Sequence, residues 1–167
     1  SATWEPKYRD PFLPLVPGFS HVPYNKLEAL EQAVDENTAA VLLEVVQGEG
    51  GVNLAQGDYL RGAQEICRRQ GALLIIDEVQ TGFGRTGKLF ACQHHDLQPD
   101  LLALAKGIAG GLPMGAVLMG ERIANINPGV HGSTFGGNPL TCAAALATIA
   151  YILKQDLPDQ AARKGAW

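Results

Sequence analysis

Apolar residues in this chain fall into short unbroken runs separated by stretches of helical spacing. Ala39 to Val46 is apolar except for Glu44, and Ala72 to Ile76 is apolar throughout before Asp77 and Glu78. Runs of this length and β-branching read as strands buried on both faces. Leu101 to Ala105 and Ala116 to Met119 are two more. Leu27, Leu30 and Val34 recur at helical spacing after Asn25, with Glu28 placed as in a capping box, which predicts a helix from Asn25 to about Glu36. Asp58 opens a second helix, with Leu60, Ala63 and Cys67 on one face, Arg61, Arg68 and Arg69 on the other, and Gly71 as its left-handed stop. Asn138 caps and Pro139 begins a third, running to about Lys154, which is apolar nearly all round and so expected to be buried or at an interface. Prolines at 6, 11, 14, 17 and 23 exclude a long helix from residues 1–24, which read as an extended, irregular arm. Strands alternating with helices specify an α/β fold with a mostly parallel sheet and helices on both faces, whose ligands sit at the carboxyl ends of the strands.

Composition narrows the function. The net charge of −4 leaves no basic field for phosphate backbones or anionic lipid, so neither a nucleic-acid nor a membrane partner is expected. The longest nearly unbroken apolar run, Cys142 to Leu153, is too short to cross a bilayer. The opening Ser-Ala-Thr-Trp-Glu-Pro has none of the pattern of a secretory leader. Cys67, Cys92 and Cys142 share no metal-ligand or C-x-x-C spacing and read as three buried thiols in a reducing compartment, which suggests a cytoplasmic protein. The adjacent His94 and His95 point apart on any regular element and read as a surface pair. The 20 glycines and 10 prolines exceed ordinary usage, and they gather at 48–57, 82–87, 107–120 and 129–137, each beside an apolar segment. Glycine so placed suggests backbone approaching a ligand.

Two familiar patterns overlap at 82–88. Gly82-Phe83-Gly84-Arg85-Thr86-Gly87 fits the dinucleotide fingerprint G-x-G-x-x-G. Asp77 and Glu78, however, lie where a pyrophosphate would be repelled, and no acid follows about 20 residues later to hold a ribose. Gly82, Gly87 and Lys88 fit G-x-x-x-x-G-K, but Leu89 stands where a hydroxyl must meet magnesium. A third constellation uses more residues. Asp77 closes one apolar strand and Lys106 closes another. A lysine ending a hydrophobic strand is costly as an ammonium, and desolvation there favours the neutral amine, a nucleophile toward an aldehyde. A carboxylate at a neighbouring strand end could keep a pyridine nitrogen protonated, the pairing that makes pyridoxal phosphate an electron sink. Arg85 and Lys88 read as solvated.

The segments carrying these residues are Asp77-Glu78-Val79-Gln80-Thr81-Gly82-Phe83-Gly84-Arg85-Thr86-Gly87, Pro99-Asp100, Lys106-Gly107 with Gly110-Gly111-Leu112-Pro113-Met114-Gly115-Ala116, and His131-Gly132-Ser133-Thr134-Phe135-Gly136-Gly137-Asn138-Pro139. Together, and in this order, they strongly resemble the class III, ornithine- and acetylornithine-type aminotransferases. That family has this glycine loop without binding nucleotides through it. The resemblance implies the large domain of a fold-type I pyridoxal 5'-phosphate enzyme, with Ala116 to Met119 as the one antiparallel strand. It implies Lys106 as the catalytic amine that bonds to the cofactor and later shuttles a proton, and Asp77 as the partner of the pyridine nitrogen. Val79 would pack on the ring and Gln80 would bond its phenolic oxygen, with Glu78 in the same cofactor-contacting segment. Thr134 would reach the cofactor phosphate of the opposite subunit, with Ser133 near the substrate, so that a homodimer shares its active sites. Glu49 matches a substrate-pocket carboxylate.

By the same resemblance, residues 1–24 are an arm, 25–155 part of the cofactor-binding large domain, and 156–167 the start of a connection toward a small C-terminal domain. The chain is then a piece of a longer subunit, lacking the phosphate loop, the second stacking aromatic and the substrate-binding arginine. The implied reaction moves an amino group from an ω-amino donor, N-acetylornithine or a carrier-bound lysine precursor, to 2-oxoglutarate in arginine or lysine biosynthesis. The alternative is a non-catalytic remnant that only folds or dimerises. Val45 departs from the family, which usually has proline after the residue matching Glu44.

Overall fold

The computed structural model describes residues 2–123, 126–127, 129–130 and 132–166. His131 of the last motif, Ser1 of the arm and Trp167 of the final segment lie outside the described residues.

Three of the four expected strands pair in parallel. β1 (Ala40–Glu44) lies beside β4 (Leu73–Asp77), which lies beside β5 (Leu101–Leu104). β6 (Ala116–Met119) adds to β5 in the antiparallel sense, giving the order β1-β4-β5-β6. The register sets Glu44, Asp77 and Ala103 side by side, so one end of the sheet carries the acid of β4 and the exit of β5. α3 (Tyr59–Gln70) covers β4 and β1 with Leu60, Ala63 and Cys67, and Gly71 ends it at φ 78° as expected. Leu74 and Ile76 of β4 are sealed within that layer. Burial of such a side chain is worth about 2 kcal/mol, and alternation sends its odd-numbered neighbours, Asp77 included, to the other face.

The Ala39–Val46 run does not make one strand. β1 stops at Glu44, and Val46–Gln47 (β2) joins Asn53–Leu54 (β3) in a separate antiparallel hairpin. The break is held from a distance: the Tyr24 hydroxyl donates to the carbonyls of Glu44 (2.7 Å) and Val45 (3.1 Å). Asn25 is not a helix cap either. It sits at φ 61°, its amide donates to the Leu54 carbonyl (2.9 Å), and it accepts from the Gln56 N–H (2.8 Å), so it clamps the hairpin exit. α2 therefore spans only Leu27–Ala33. It gives way to a turn in which Asp35 accepts from the Asn37 N–H (2.9 Å).

Residues 6–12 of the arm contain a short helix, α1 (Pro6–Arg9), followed by a 3-10 turn, Asp10–Phe12. α4 (Pro139–Lys154) starts and ends as the sequence indicates, with Asn138 accepting from the Thr141 N–H. It is not sealed, however. Thr141, Ala145 and Ile152 are buried, while Leu140, Leu146, Tyr151 and Leu153 are exposed, because one face alone packs on the 3-10 turn Lys106–Ala109. The segment read as the start of a connection contains a further helix, α5 (Leu157–Gly165). Of the thiols, Cys67 and Cys92 are buried and Cys142 is half-buried. No single helix among the described residues is long and apolar enough to cross a membrane.

Candidate active site

β5 ends at Leu104, and the chain passes through extended Ala105 into Lys106 at φ 45°. A left-handed conformation costs a lysine about 1 kcal/mol or more, so something must hold it. The 3-10 turn Lys106–Ala109 supplies the hold: Ile108 and Ala109 are buried, and Gly110, at φ 60°, lies so near α4 that a Cβ on it would stand 2.9 Å from the Thr148 hydroxyl. The kink turns Lys106 out of the sheet toward its carboxyl edge. Lys106 is exposed there, in contrast to the desolvated lysine that the apolar strand led us to expect.

Its amine donates to the side-chain oxygen of Gln80. Gln80 comes from the turn that follows β4, closed by the Gly82 N–H on the Glu78 carbonyl (2.9 Å). Asp77, half-buried at the strand end, accepts from the Val79 N–H through Oδ1 (2.8 Å), and no hydrogen bond reaches its Oδ2 among the described residues. Val79, Gln80, Phe83, Arg85 and Lys106 border a depression of about 260 Å³ whose far wall is Ile152 and Leu157. Val79, Gln80 and Lys106 thus share one depression, and Asp77, outside its lining, ends the adjacent strand at the same edge of the sheet.

Glu78 is placed otherwise. Alternation turns it away from Asp77 and Val79 into the core, where it is 0% exposed and bonded to Thr81, Ala91 and Cys92. Ser133 and Thr134 lie on an exposed turn ahead of α4, without a side-chain bond to Lys106, Asp77 or Gln80 among the described residues. Glu49 is exposed on the loop after β2 and accepts from the Tyr8 hydroxyl (2.7 Å). Tyr8 had no signal in the sequence: it lies in the proline-rich arm, 41 residues from its partner. The glycine loop 82–87 meets a helix. A Cβ on Gly84 would stand 3.1 Å from Pro158, and one on Gly87 2.9 Å from the Ala162 Cβ, so these glycines let α5 approach the backbone. Of the expected surface pair, His94 is exposed and donates to the Thr86 carbonyl (3.0 Å), tying the loop down, whereas His95 is half-buried.

The family model for aminotransferase class-III matches residues 1–167. This chain belongs to the class-III aminotransferase family. It is 54% identical over 166 residues to the acetylornithine aminotransferase of Methanopyrus kandleri, covering 99% of this chain and 43% of that protein. Among solved structures, ornithine aminotransferase from Toxoplasma gondii, described with partial occupancy of PLP at its active site, superposes with a TM-score of 0.93 at 43% identity, covering 99% of this chain and 40% of the other. Acetylornithine aminotransferase from Elizabethkingia anophelis gives a TM-score of 0.85 at 46% identity, covering 90% and 39%. The class-III aminotransferase chain described here therefore spans about two fifths of the length of the relatives it matches. Its sheet is that of the fold-type I pyridoxal-phosphate-dependent aminotransferases, a family that uses this cofactor.

Proposed function

We propose that this chain supplies the lysine-bearing part of a pyridoxal 5'-phosphate site, and that the whole protein transfers the amino group of an ω-amino donor such as N-acetylornithine to 2-oxoglutarate. The observation that carries the reading is the Lys106 amine held on the Gln80 amide oxygen at the strand edge that Asp77 shares. The donor set fits the cofactor. Asp77 Oδ2 offers an acceptor for a ring N–H, Val79 offers an apolar face, Gln80 an amide for a phenolic oxygen, and Lys106 a primary amine. When bound, pyridoxal phosphate supplies an electrophilic aldehyde and a ring that takes up the electron pair of a broken C–H bond.

Around it, Lys106 Nζ takes the proton from the donor carbon and returns it, which its tether at the open strand edge permits. Asp77 holds a proton on the ring nitrogen by its negative charge. Gln80 orients the amine before the substrate arrives. The exposed turn of Ser133 and Thr134 fits a role at a second copy's site, Thr134 toward its phosphate and Ser133 near its substrate, and so a homodimer with shared sites. Glu49, held by Tyr8, would face the donor. The names of the relatives favour acetylornithine over a carrier-bound lysine precursor, and hence arginine biosynthesis.

The test is to mix the protein with pyridoxal phosphate, reduce with borohydride, digest, and locate the added mass. The expected site is Lys106, and Lys106→Ala should abolish it. Mass on another lysine alone refutes the assignment. Formation of glutamate from N-acetylornithine and 2-oxoglutarate then separates a complete enzyme from a non-catalytic remnant.

A further inference from the structure

The one fully buried carboxylate among the described residues, Glu78, has no part in the chemistry above, yet it is more densely bonded than any residue that does. Its Oε1 accepts from the Cys92 N–H (2.7 Å), and its Oε2 accepts from the Ala91 N–H (3.0 Å) and the Thr81 hydroxyl. Its own N–H donates to the Ala103 carbonyl of β5 (2.9 Å), and its carbonyl accepts from Gly82 (2.9 Å). A single residue thereby joins the strand that leads to Lys106, the turn that carries Gln80, and the 3-10 turn Ala91–His95. A buried anion is tolerated only when its donors are fixed, and a fully bonded one gives its surroundings a single geometry. Burial, then the Glu78 charge, pushes the neighbouring Cys92 thiol up to about 12.

Gln80 itself is exposed, and among the described residues its side chain has one hydrogen-bond partner, Lys106. Its place is set by the backbone of the turn Glu78–Gly82, with Gly48 packed against its Cγ, and that backbone is pinned through Glu78 and Thr81. We propose that Glu78 is a positioning residue: from within the core it fixes the turn that holds Gln80 against the Lys106 amine.

The inference rests on the reading of Lys106 as the cofactor-bearing amine, but its test uses no cofactor. Lysines of the intact chain are methylated with formaldehyde and cyanoborohydride, and the rate at Lys106 is read by mass spectrometry against exposed Lys26, Lys88 and Lys154. Glu78→Gln replaces one acceptor oxygen by an amide donor facing a backbone N–H. It should raise the Lys106 rate roughly threefold, as expected for loss of one surface hydrogen bond to a charged group, with the reference lysines unchanged. Gln80→Ala should raise it equally, and the double variant no further. An unchanged Lys106 rate in Glu78→Gln, a parallel rise at every lysine, or a full further rise in the double variant would each overturn the proposal. If Glu78→Gln does not fold, Thr81→Val removes one of the three donors; a smaller rise confined to Lys106 supports the proposal, and no rise overturns it. Failure of pyridoxal phosphate to label Lys106 would instead refute the functional reading and leave these ratios intact.

Discussion

Gly48 and Gln80 are pressed together across the mouth of the site: a Cβ on Gly48 would lie 2.8 Å from Gln80 Cγ. Gln80 is thus held on one side by the loop that leads to Glu49 and on the other by the Lys106 amine. Gly48→Ala should push the Gln80 side chain off Lys106. Because Gln80 is flexible and exposed, stability should fall by less than about 1 kcal/mol. Affinity for pyridoxal phosphate should fall about tenfold, the equivalent of one lost charge-assisted bond. Absorbance titration and thermal melts of the same samples check both.

Gly87 is expected to be far less tolerant. It combines φ 93° with a Cβ position 2.9 Å from the Ala162 Cβ, whereas Gly71, at φ 78°, has open space. Gly87→Ala should cost about 2–3 kcal/mol from strain and displaced packing, and Gly71→Ala about 1 kcal/mol from strain alone. Denaturant midpoints measure the difference. Loosening of α5 in the first variant should also appear as faster proteolysis near Gln155.

Arg122 bonds the nearly buried Asp100 (3.0 Å) and the carbonyls of Ala72 (3.2 Å) and Gly71 (3.1 Å), tying the end of β6 to the exit of α3. Arg122→Ala should destabilise by about 2 kcal/mol, discounted for the arginine's partial exposure. The loss should appear in the urea midpoint with an unchanged slope.

Stability should decline on the alkaline side. Burial, followed by the Asp100 charge, pushes the Cys67 thiol from 9.0 up to about 11, and burial with Glu78 pushes Cys92 up to about 12. The native thiols stay protonated while those of the unfolded chain ionise from about 9, so the folded state binds more protons and loses stability as pH rises. The contribution is complete below pH 9 and drains away as pH climbs toward the folded values. Burial raises the Tyr24 hydroxyl as well, adding a fall of the same sign above 10. Midpoints at several pH values should show this limb, and Cys67→Ala with Cys92→Ala should flatten its first part.

Asp77→Asn should leave the fold intact, since the amide oxygen can still accept from the Val79 N–H. Turnover by the whole protein should nonetheless drop by about 10² or more, because a neutral amide does not hold the proton on the ring nitrogen. Steady-state rates against unchanged melting curves check this.

What the sequence by itself determined were the features that depend on near neighbours. Strand runs such as Leu73–Asp77, the Asn138-Pro139 start of α4 and the Gly71 stop of α3 follow from periodicity, capping and left-handed backbone within a few residues. That Asp77 ends β4 beside β5, the strand that leads to Lys106, was legible too, since parallel strands deliver their ends to the same side. The tertiary structure alone decided which way shared residues face. Tyr24 breaks the Ala39–Val46 run at Glu44, Asn25 serves a hairpin rather than a helix, and Tyr8 finds Glu49 from a distant arm. Glu78 points into the core although its neighbours serve the site, and Lys106 stands in solvent although an apolar strand delivers it. In each case the deciding partner is far away along the chain, and such contacts leave no periodic trace in the segment they reshape.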